Sequence, residues 1–369
     1  MLPLKVIISG GGTGGHIFPA IAIANALKKK AEGAEILFVG AKGRMEMEKV
    51  PAAGYKIEGL NISGFQRRLT LKNLSFPFKL LGSLLKAKQI LKKFKPEVVV
   101  GVGGYASGPM VHVAASNGVP TLIQEQNSYA GITNKLLGKK ADKICVAYEG
   151  MERFFPKEKI ILTGNPVRQD IAKLEGKRER GLEHFNLSPN KKTLLVIGGS
   201  LGARIINESI HKSLQLLSEN NIQLIWQTGK MYFEQAEQVF KSNPFFLEQG
   251  GVFAFISKMD YAYAVADLVV SRAGAISVSE LCLANKATIL VPSPNVSEDH
   301  QTKNAMALVN HNAAVLLKDS EATEQLGKKV IELMNNDGER EKLERNIAGL
   351  AYSGAAELIA NEVLKLIKH

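Results

Sequence analysis

The sequence predicts an α/β protein of two Rossmann-like domains whose parallel sheets face each other across a cleft. Three observations predict it. Short apolar runs rich in β-branched residues recur along the 369 residues, several are followed by a glycine turn and a helix-like segment, and the theme restarts near residue 193. A strand buried on both faces reads as a continuous apolar run, and helices between such strands make the sheet parallel. At about 100 to 200 residues per domain, the chain has room for two cores.

The first expected strand is LKVIIS (4–9), followed by the turn GGGTGG and by PAIAIANALKKK, whose apolar spacing suits a helix lying on a sheet. EILFVG (35–40), EVVVGVG (97–103), TLIQEQ (121–126) and KICVAY (143–148) are the further strands of this half. Residues 175–192 are polar, charged and punctuated by Gly and Pro, which predicts a surface connection, with the domain switch near GNPVR at 164–168. The second half continues with TLLVIGGSLGAR (193–204), IQLIWQTG (222–229), GVFAFI (251–256), ADLVVSRAG (266–274) and ATILVPSP (287–294). From about 338 the chain is helix-rich. The expected domains are 1–167 plus a C-terminal helix at about 350–369, and 168–349.

The chain carries 47 Lys plus Arg against 35 Asp plus Glu, a formal charge of +12, which favours encounter with polyanions. Cys145 and Cys282 are far apart and match no metal spacing. They predict a reduced, cytosolic compartment, and either is equally at home as core. MLPLKVIISGGG has no charged head, long apolar stretch or small-residue cleavage site, so no signal peptide is expected. The uncharged run 98–124 is broken by several Gly and Pro, so no transmembrane span is expected either.

Three glycine turns end expected strands: Gly10–Gly15, 101–109 and 198–204. Backbone amides approach an anion closely where side chains are missing, and a helix N-terminus favours negative charge. Tight strand-to-helix packing explains any single turn equally well. The first turn satisfies G-x-G-x-x-G, but a dinucleotide site also needs an acidic residue at the end of the second strand, and VGAKGR has none there. Nicotinamide binding is therefore not expected, and an anionic ligand in a crevice between the domains is. Polar clusters add Glu125 and Asn127 in QEQN, Ser277, Ser279 and Glu280 in RAGAISVSE, and Asp299, His300, Gln301 and Asn304 in SEDHQTKNA. Helix capping competes as an explanation, though Glu280 lies too far into its helix to cap it, and a carboxylate there suits ribose hydroxyls.

In this order and spacing, GGTGGHIFPAIAIA, GVGGYASGP, QEQN with AGITNKLL, GNPVR, GGSLGARIIN, SRAGAISVSE and DHQTKNA closely resemble the MurG family over nearly the whole chain. The resemblance implies the glycosyltransferase-B fold and transfer of N-acetylglucosamine from UDP-N-acetylglucosamine to the 4-hydroxyl of lipid I, the N-acetylmuramoyl pentapeptide on undecaprenyl diphosphate. That step makes lipid II for peptidoglycan, and so serves cell shape and division. It also implies donor contacts at Thr13, Gly14, Gly15, Asn127, Arg168, Ser200, Ile256, Ala275, Ile276, Ser277, Val278, Ser279, Glu280 and Gln301, and an acceptor site at Gly103, Gly104 and Tyr105. Where better-studied members have two adjacent Gln, this chain has His300 and Gln301.

An α-linked donor giving a β-linked product calls for in-line, inverting attack, with one general base and positive charge for the departing UDP. His16, at the mouth of the first turn, is the leading base because its ordinary pKa lies near neutrality. A purely hydrogen-bonding role for His16 stays open, Glu125 is the rival base, and Tyr105 and Asn127 suit orienting the acceptor. No cofactor is expected. No two Asp stand one residue apart, so no essential divalent ion is expected either.

Between Phe65 and Pro96 nine Lys or Arg and no acid are interleaved with Leu and Phe. A charge run is usually a solvated face, yet this mixture also suits residues 65–95 to an anionic leaflet, and with the resemblance it implies a peripheral place on the cytoplasmic face of the inner membrane. With no zinc ligands and no RNP-like signature, nucleic acid is not an expected partner. A cytosolic sugar-nucleotide enzyme of the same fold, a nicotinamide oxidoreductase and a non-catalytic nucleotide-binding module are the competing readings.

Overall fold

A computed structural model describes residues 3–62, 76–168, 170–199 and 202–367. The chain divides into two compact units, Met1–Val167 with Gly354–His369, and Arg168–Ser353.

The strands of the first unit are β1 (Lys5–Ser9), β2 (Glu35–Ala41), β3 (Lys56–Leu60), β4 (Val98–Gly101), β5 (Thr121–Glu125), β6 (Lys143–Val146) and β7 (Ile160–Leu162). They form one parallel sheet in the order β3-β2-β1-β4-β5-β6-β7. Its helices are α1 (Gly14–Lys30), α2 (Glu46–Ala52), α3 (Phe76–Phe94), α4 (Ser107–Ser116) and α5 (Ile132–Gly138), joined by the C-terminal α14 (Ala355–Lys365). Side chains alternate across a strand, so β1 sorts its apolar run into two cores. Val6 and Ile8 pack with Ile17, Ile23 and Leu27 of α1 and Ile359 and Val363 of α14. Ile7 packs with Ile90 of α3, Met110 of α4 and Leu137 of α5. Each such fully buried side chain contributes about 1.5–3 kcal/mol.

The second unit repeats the plan with β8 (Thr193–Ile197), β9 (Gln223–Gln227), β10 (Gly250–Phe253), β11 (Leu268–Ser271), β12 (Thr288–Leu290) and β13 (Val315–Leu316). Their order, β10-β9-β8-β11-β12-β13, is that of the first six strands of the other sheet. The helices are α6 (Arg178–His184), α7 (Arg204–Glu219), α8 (Phe233–Ser242), α9 (Met259–Val265), α10 (Ala275–Ala284), α11 (His300–Val309), α12 (Asp319–Met334) and α13 (Asp337–Ala348). Leu194, Val196, Trp226 and Val270 meet Ile206 and Ile210 of α7 and Leu326 and Val330 of α12 in one core. The buried Trp226 indole is satisfied by donating to Asn207 Oδ1 at 3.0 Å.

One local expectation is overturned, and three strands were not expected. Residues 175–192 are not a connecting segment, because they lie within the second unit and contain α6. Gly181 lets α6 approach closely, since a Cβ there would meet Val265 Cγ1 at 2.6 Å, and Phe185 and Leu187 are buried just beyond it. Strands β3, β7 and β13 lie at sheet edges and are two to five residues long, too short and mixed to stand out as apolar runs.

In both sheets the strand order reverses beside the first strand, between β1 and β4 and between β8 and β11. Loops leaving the carboxyl ends of such a pair diverge to opposite faces, and ligands bind in the crevice between them. The glycine turns at 10–15 and 101–109 flank that point in the first unit, and the turn after β8 and the Gly274 N-cap of α10 after β11 flank it in the second.

Candidate functional site

In the first unit, β1 and β4 are paired, so their glycine turns touch. Gly11 N donates to Gly103 O at 3.3 Å, and a Cβ on Gly104, whose φ is +82°, would fall 2.3 Å from Gly11 O. Only glycine allows this approach with that backbone. Thr13 is the extended N-cap of α1, followed by Gly14 and Gly15, and His16 sits in the helix's first turn. His16 Nδ1 lies 2.9 Å from Gly11 O, and Thr13 Oγ1 is 3.4 Å from the same nitrogen. A carbonyl oxygen only accepts, so Nδ1 carries the proton of the neutral ring and Nε2 presents a lone pair. Nε2 lies against Gly103, where a Cβ would stand 2.9 Å from it. Burial pushes the His16 pKa below its ordinary value of 6.5, against the opposing pull of the Gly11 carbonyl and the charges of Glu125 and Glu46. Tyr105, in the second turn, is half exposed.

Glu125, at the end of β5, is buried, and both of its oxygens accept hydrogen bonds. Oε1 accepts from Asn127 N at 3.0 Å and Asn127 Nδ2 at 3.1 Å, and Oε2 from Gly131 N at 3.0 Å and Asn134 Nδ2 at 2.9 Å. The carboxylate thereby ties the loop after β5 to the start of α5. Thr13, Gly14, Gly15, His16, Gly103, Gly104, Tyr105, Glu125 and Asn127 thus gather at the carboxyl ends of β1, β4 and β5.

In the second unit, α10 begins after the extended N-cap Gly274, so the amides of Ala275, Ile276 and Ser277 point out of its first turn. Val278 is buried, and Ser279 Oγ donates back to Ala275 O at 3.1 Å. Glu280 Oε2 accepts from the hydroxyl of the buried Tyr263 at 3.4 Å. Burial pushes the Glu280 pKa up to about 7 despite the nearby Arg168 and Tyr263. Arg168 donates from Nε and Nη2 to Asp170 at 3.2 and 2.7 Å, and from Nη2 to Ser257 O at 3.1 Å, beside Ile256. Gln301 Oε1 accepts from Ser293 N at 2.8 Å, and Ser200 lies outside the described residues.

Two side chains of these sites escape sequence reasoning. Gln227, at the end of β9, accepts from Ile256 N at 2.9 Å through Oε1 and donates to Gly199 O at 3.3 Å, linking two loops. Its place at a strand end beside a glycine turn was the available signal. Glu46, 1% exposed, accepts from Gly12 N at 2.8 Å and Ala41 N at 2.9 Å beneath the first turn. In sequence it is one of several charges in RMEMEK and has no distinguishing mark. Among the described residues no group of three or more His, Cys, Asp or Glu is placed to hold a metal.

The glycosyltransferase family 28 N-terminal domain matches residues 6–146, and the corresponding C-terminal domain matches 193–360. The chain is 55% identical over 370 residues to a Parabacteroides distasonis protein, covering 100% of this chain and 99% of the relative. It is 58% identical to a Phocaeicola vulgatus protein, covering 98% and 96%. Both bear the name UDP-N-acetylglucosamine--N-acetylmuramyl-(pentapeptide) pyrophosphoryl-undecaprenol N-acetylglucosamine transferase. The crystal structure of Acinetobacter baumannii MurG superposes with a TM-score of 0.80 at 29% identity, covering 98% of this chain and 100% of that one. With both domain models matched in order and whole-length relatives above half identity, the chain belongs to glycosyltransferase family 28.

Proposed function

We propose that this protein transfers N-acetylglucosamine from UDP-N-acetylglucosamine to the 4-hydroxyl of the N-acetylmuramoyl pentapeptide of lipid I, with inversion, to give lipid II. Similarity over the full length to relatives of that name supports the substrates. The observation that carries the mechanism is the 2.9 Å contact of His16 Nδ1 with Gly11 O, which assigns the proton of the neutral ring to Nδ1 and leaves Nε2 as a lone pair at the mouth of two glycine turns.

In this scheme His16 Nε2 takes the proton of the acceptor hydroxyl as its oxygen attacks the anomeric carbon. The bond from that carbon to the diphosphate breaks, and UDP departs with the electron pair. One displacement inverts the centre and needs no covalent intermediate. Gly103, Gly104 and Tyr105 hold the acceptor. Glu125 is better suited to shaping the Asn127 loop than to proton transfer, since both its oxygens are already hydrogen-bonded.

The donor is held chiefly by the second unit. The α10 amides and the Arg168 guanidinium meet the diphosphate, which displaces Asp170. Glu280 accepts the ribose hydroxyls, and because Ile256 N–H is already given to Gln227, the base pairs with the Ile256 carbonyl.

Membrane contact is supported by α3, where Phe78, Leu81 and Leu85, spaced to share one face, are 78, 58 and 57% exposed beside the exposed Lys88 and Lys92. Arg67, Arg68 and Lys72 lie outside the described residues. No helix among the described residues is long and apolar enough to cross a membrane. Peripheral attachment at the cytoplasmic leaflet brings the enzyme to its lipid-linked acceptor.

The test is UDP release from UDP-N-acetylglucosamine with and without a lipid I analogue. Release that depends on acceptor is expected, and equal release in its absence contradicts the proposal.

A further inference from the structure

The peptide unit joining Gly11 and Gly12 is gripped at both ends. Its N–H donates to Glu46 Oε2 at 2.8 Å, and its carbonyl accepts from His16 Nδ1 at 2.9 Å. The second oxygen of Glu46 accepts from Ala41 N, at the end of β2. The backbone is cleared for this carboxylate, because a Cβ on Gly11 would stand 2.2 Å from Glu46 Cδ and one on Gly40 2.5 Å from its Cγ. Two glycines around the first turn are therefore explained by an internal carboxylate, not by a ligand. A carboxylate that is 1% exposed is costly unless charge-assisted hydrogen bonds compensate it, and here two backbone amides do so.

We propose that Glu46 is a positioning residue for His16, acting through the Gly11–Gly12 peptide as the orienting carboxylate of a carboxylate–histidine pair with one amide interposed. The inference rests on the reading of His16 as general base. An amide whose N–H faces a carboxylate is polarised, and its oxygen becomes a stronger acceptor. That strengthens the hold on Nδ1–H and stabilises the imidazolium formed when Nε2 takes the acceptor's proton, the task of a directly bonded Asp in serine hydrolases. The charged groups acting on the ring are Glu125 at the end of β5 and Glu46 on α2. The bonds of Glu125 run to Asn127, Gly131 and Asn134, whereas Glu46 is joined to the ring by a continuous hydrogen-bonded path.

The experiment uses the full chain and the variant Glu46→Gln, which keeps the shape, removes the charge and turns an NH₂ towards one of the two amide donors. The imidazole of His16 is titrated by NMR without substrate. In the wild-type protein the neutral ring is expected in the Nδ1–H form. In Glu46→Gln its pKa falls by about half a pH unit and the tautomers mix. In turnover the variant loses about tenfold in kcat with donor KM unchanged, the size of a weakened acid–base contribution. In a His16→Gln background the same change costs nothing further. An unaltered His16 titration in the folded variant, or an equal loss in both backgrounds, overturns the proposal. Should Glu46→Gln not fold, the wild-type spectrum still decides, since a neutral His16 in the Nε2–H form overturns it alone. Failure of the transferase reading shows up separately, as wild-type protein without acceptor-dependent UDP release.

Discussion

His16 and Glu280 titrate in different ranges, and the proposed roles require the deprotonated form of each. His16 must be neutral to accept a proton, and burial holds its pKa below 6.5, so kcat falls only as the pH drops below that value. Glu280 must be ionised to accept two ribose hydroxyls, and its pKa of about 7 means that donor KM rises as the pH falls through 7. Between the two ranges, KM changes while kcat does not, and steady-state kinetics from pH 5.5 to 8 resolve the two. His16→Ala is expected to lower kcat by about 10²- to 10⁴-fold and leave donor KM nearly unchanged. Glu280→Gln raises donor KM and flattens its pH dependence.

Glu280 also has a stability signature. Its pKa is higher in the folded protein than the 4.5 of an unperturbed carboxyl. The folded state therefore binds more protons than the unfolded state between those values, and stability falls as pH rises through them. Glu280→Gln removes that penalty, so thermal unfolding at pH 8 should show the variant more stable, by no more than about 3 kcal/mol, with the gain vanishing near pH 4.

Among the elements, α3 carries the clearest prediction. Phe78, Leu81 and Leu85 stand out from it while Ser83, Ala87, Ile90 and Leu91 face the core, so changes to the exposed three leave the fold alone. A Phe78→Ser/Leu81→Ser/Leu85→Ser variant should keep its melting temperature within about 2 °C and lose about tenfold or more in binding to anionic vesicles. Neutral vesicles should bind either protein weakly, because each basic residue near an anionic surface contributes about 1 kcal/mol. Unchanged sedimentation with anionic vesicles contradicts the assignment of α3.

The central strands were legible because burial on both faces forces continuous apolar runs such as KVIIS and TLLVI. Edge strands escape because they bury less and end sooner, and α6 escapes because one glycine and two apolar residues suffice to dock it in a polar stretch. At the site, the glycine turns and His16 were legible from their place after β1. The bonds that tie up Glu125 were not, since Gly131 and Asn134 meet it only once α5 folds back, and only the Asn127 contacts are local. Glu46 was hidden for the same reason, as its amide partners lie at Gly12 and Ala41 and nothing in RMEMEK marks one charge as buried.

At the scale of the whole molecule, the chain leaves the first unit after Val167 and returns to it at Gly354. The returning α14 seals one face of the first sheet through Ile359 and Val363, both fully buried against α1 and β1. Ile359→Ala should cost about 2–5 kcal/mol through the cavity it leaves. The loss should fall on the first unit, so amide hydrogen exchange rises along β1, β4 and α1 while β8, β11 and α7 keep their protection.

The proposed transfer is a single displacement at the anomeric carbon, carried out by one base on a lipid-linked hydroxyl. The most direct measurement is the ¹H NMR anomeric coupling of the disaccharide formed from UDP-N-acetylglucosamine and a lipid I analogue. A large coupling, diagnostic of a β-linked N-acetylglucosamine on the 4-position, is the predicted result. An α-linked product, or free N-acetylglucosamine in place of the disaccharide, would contradict it.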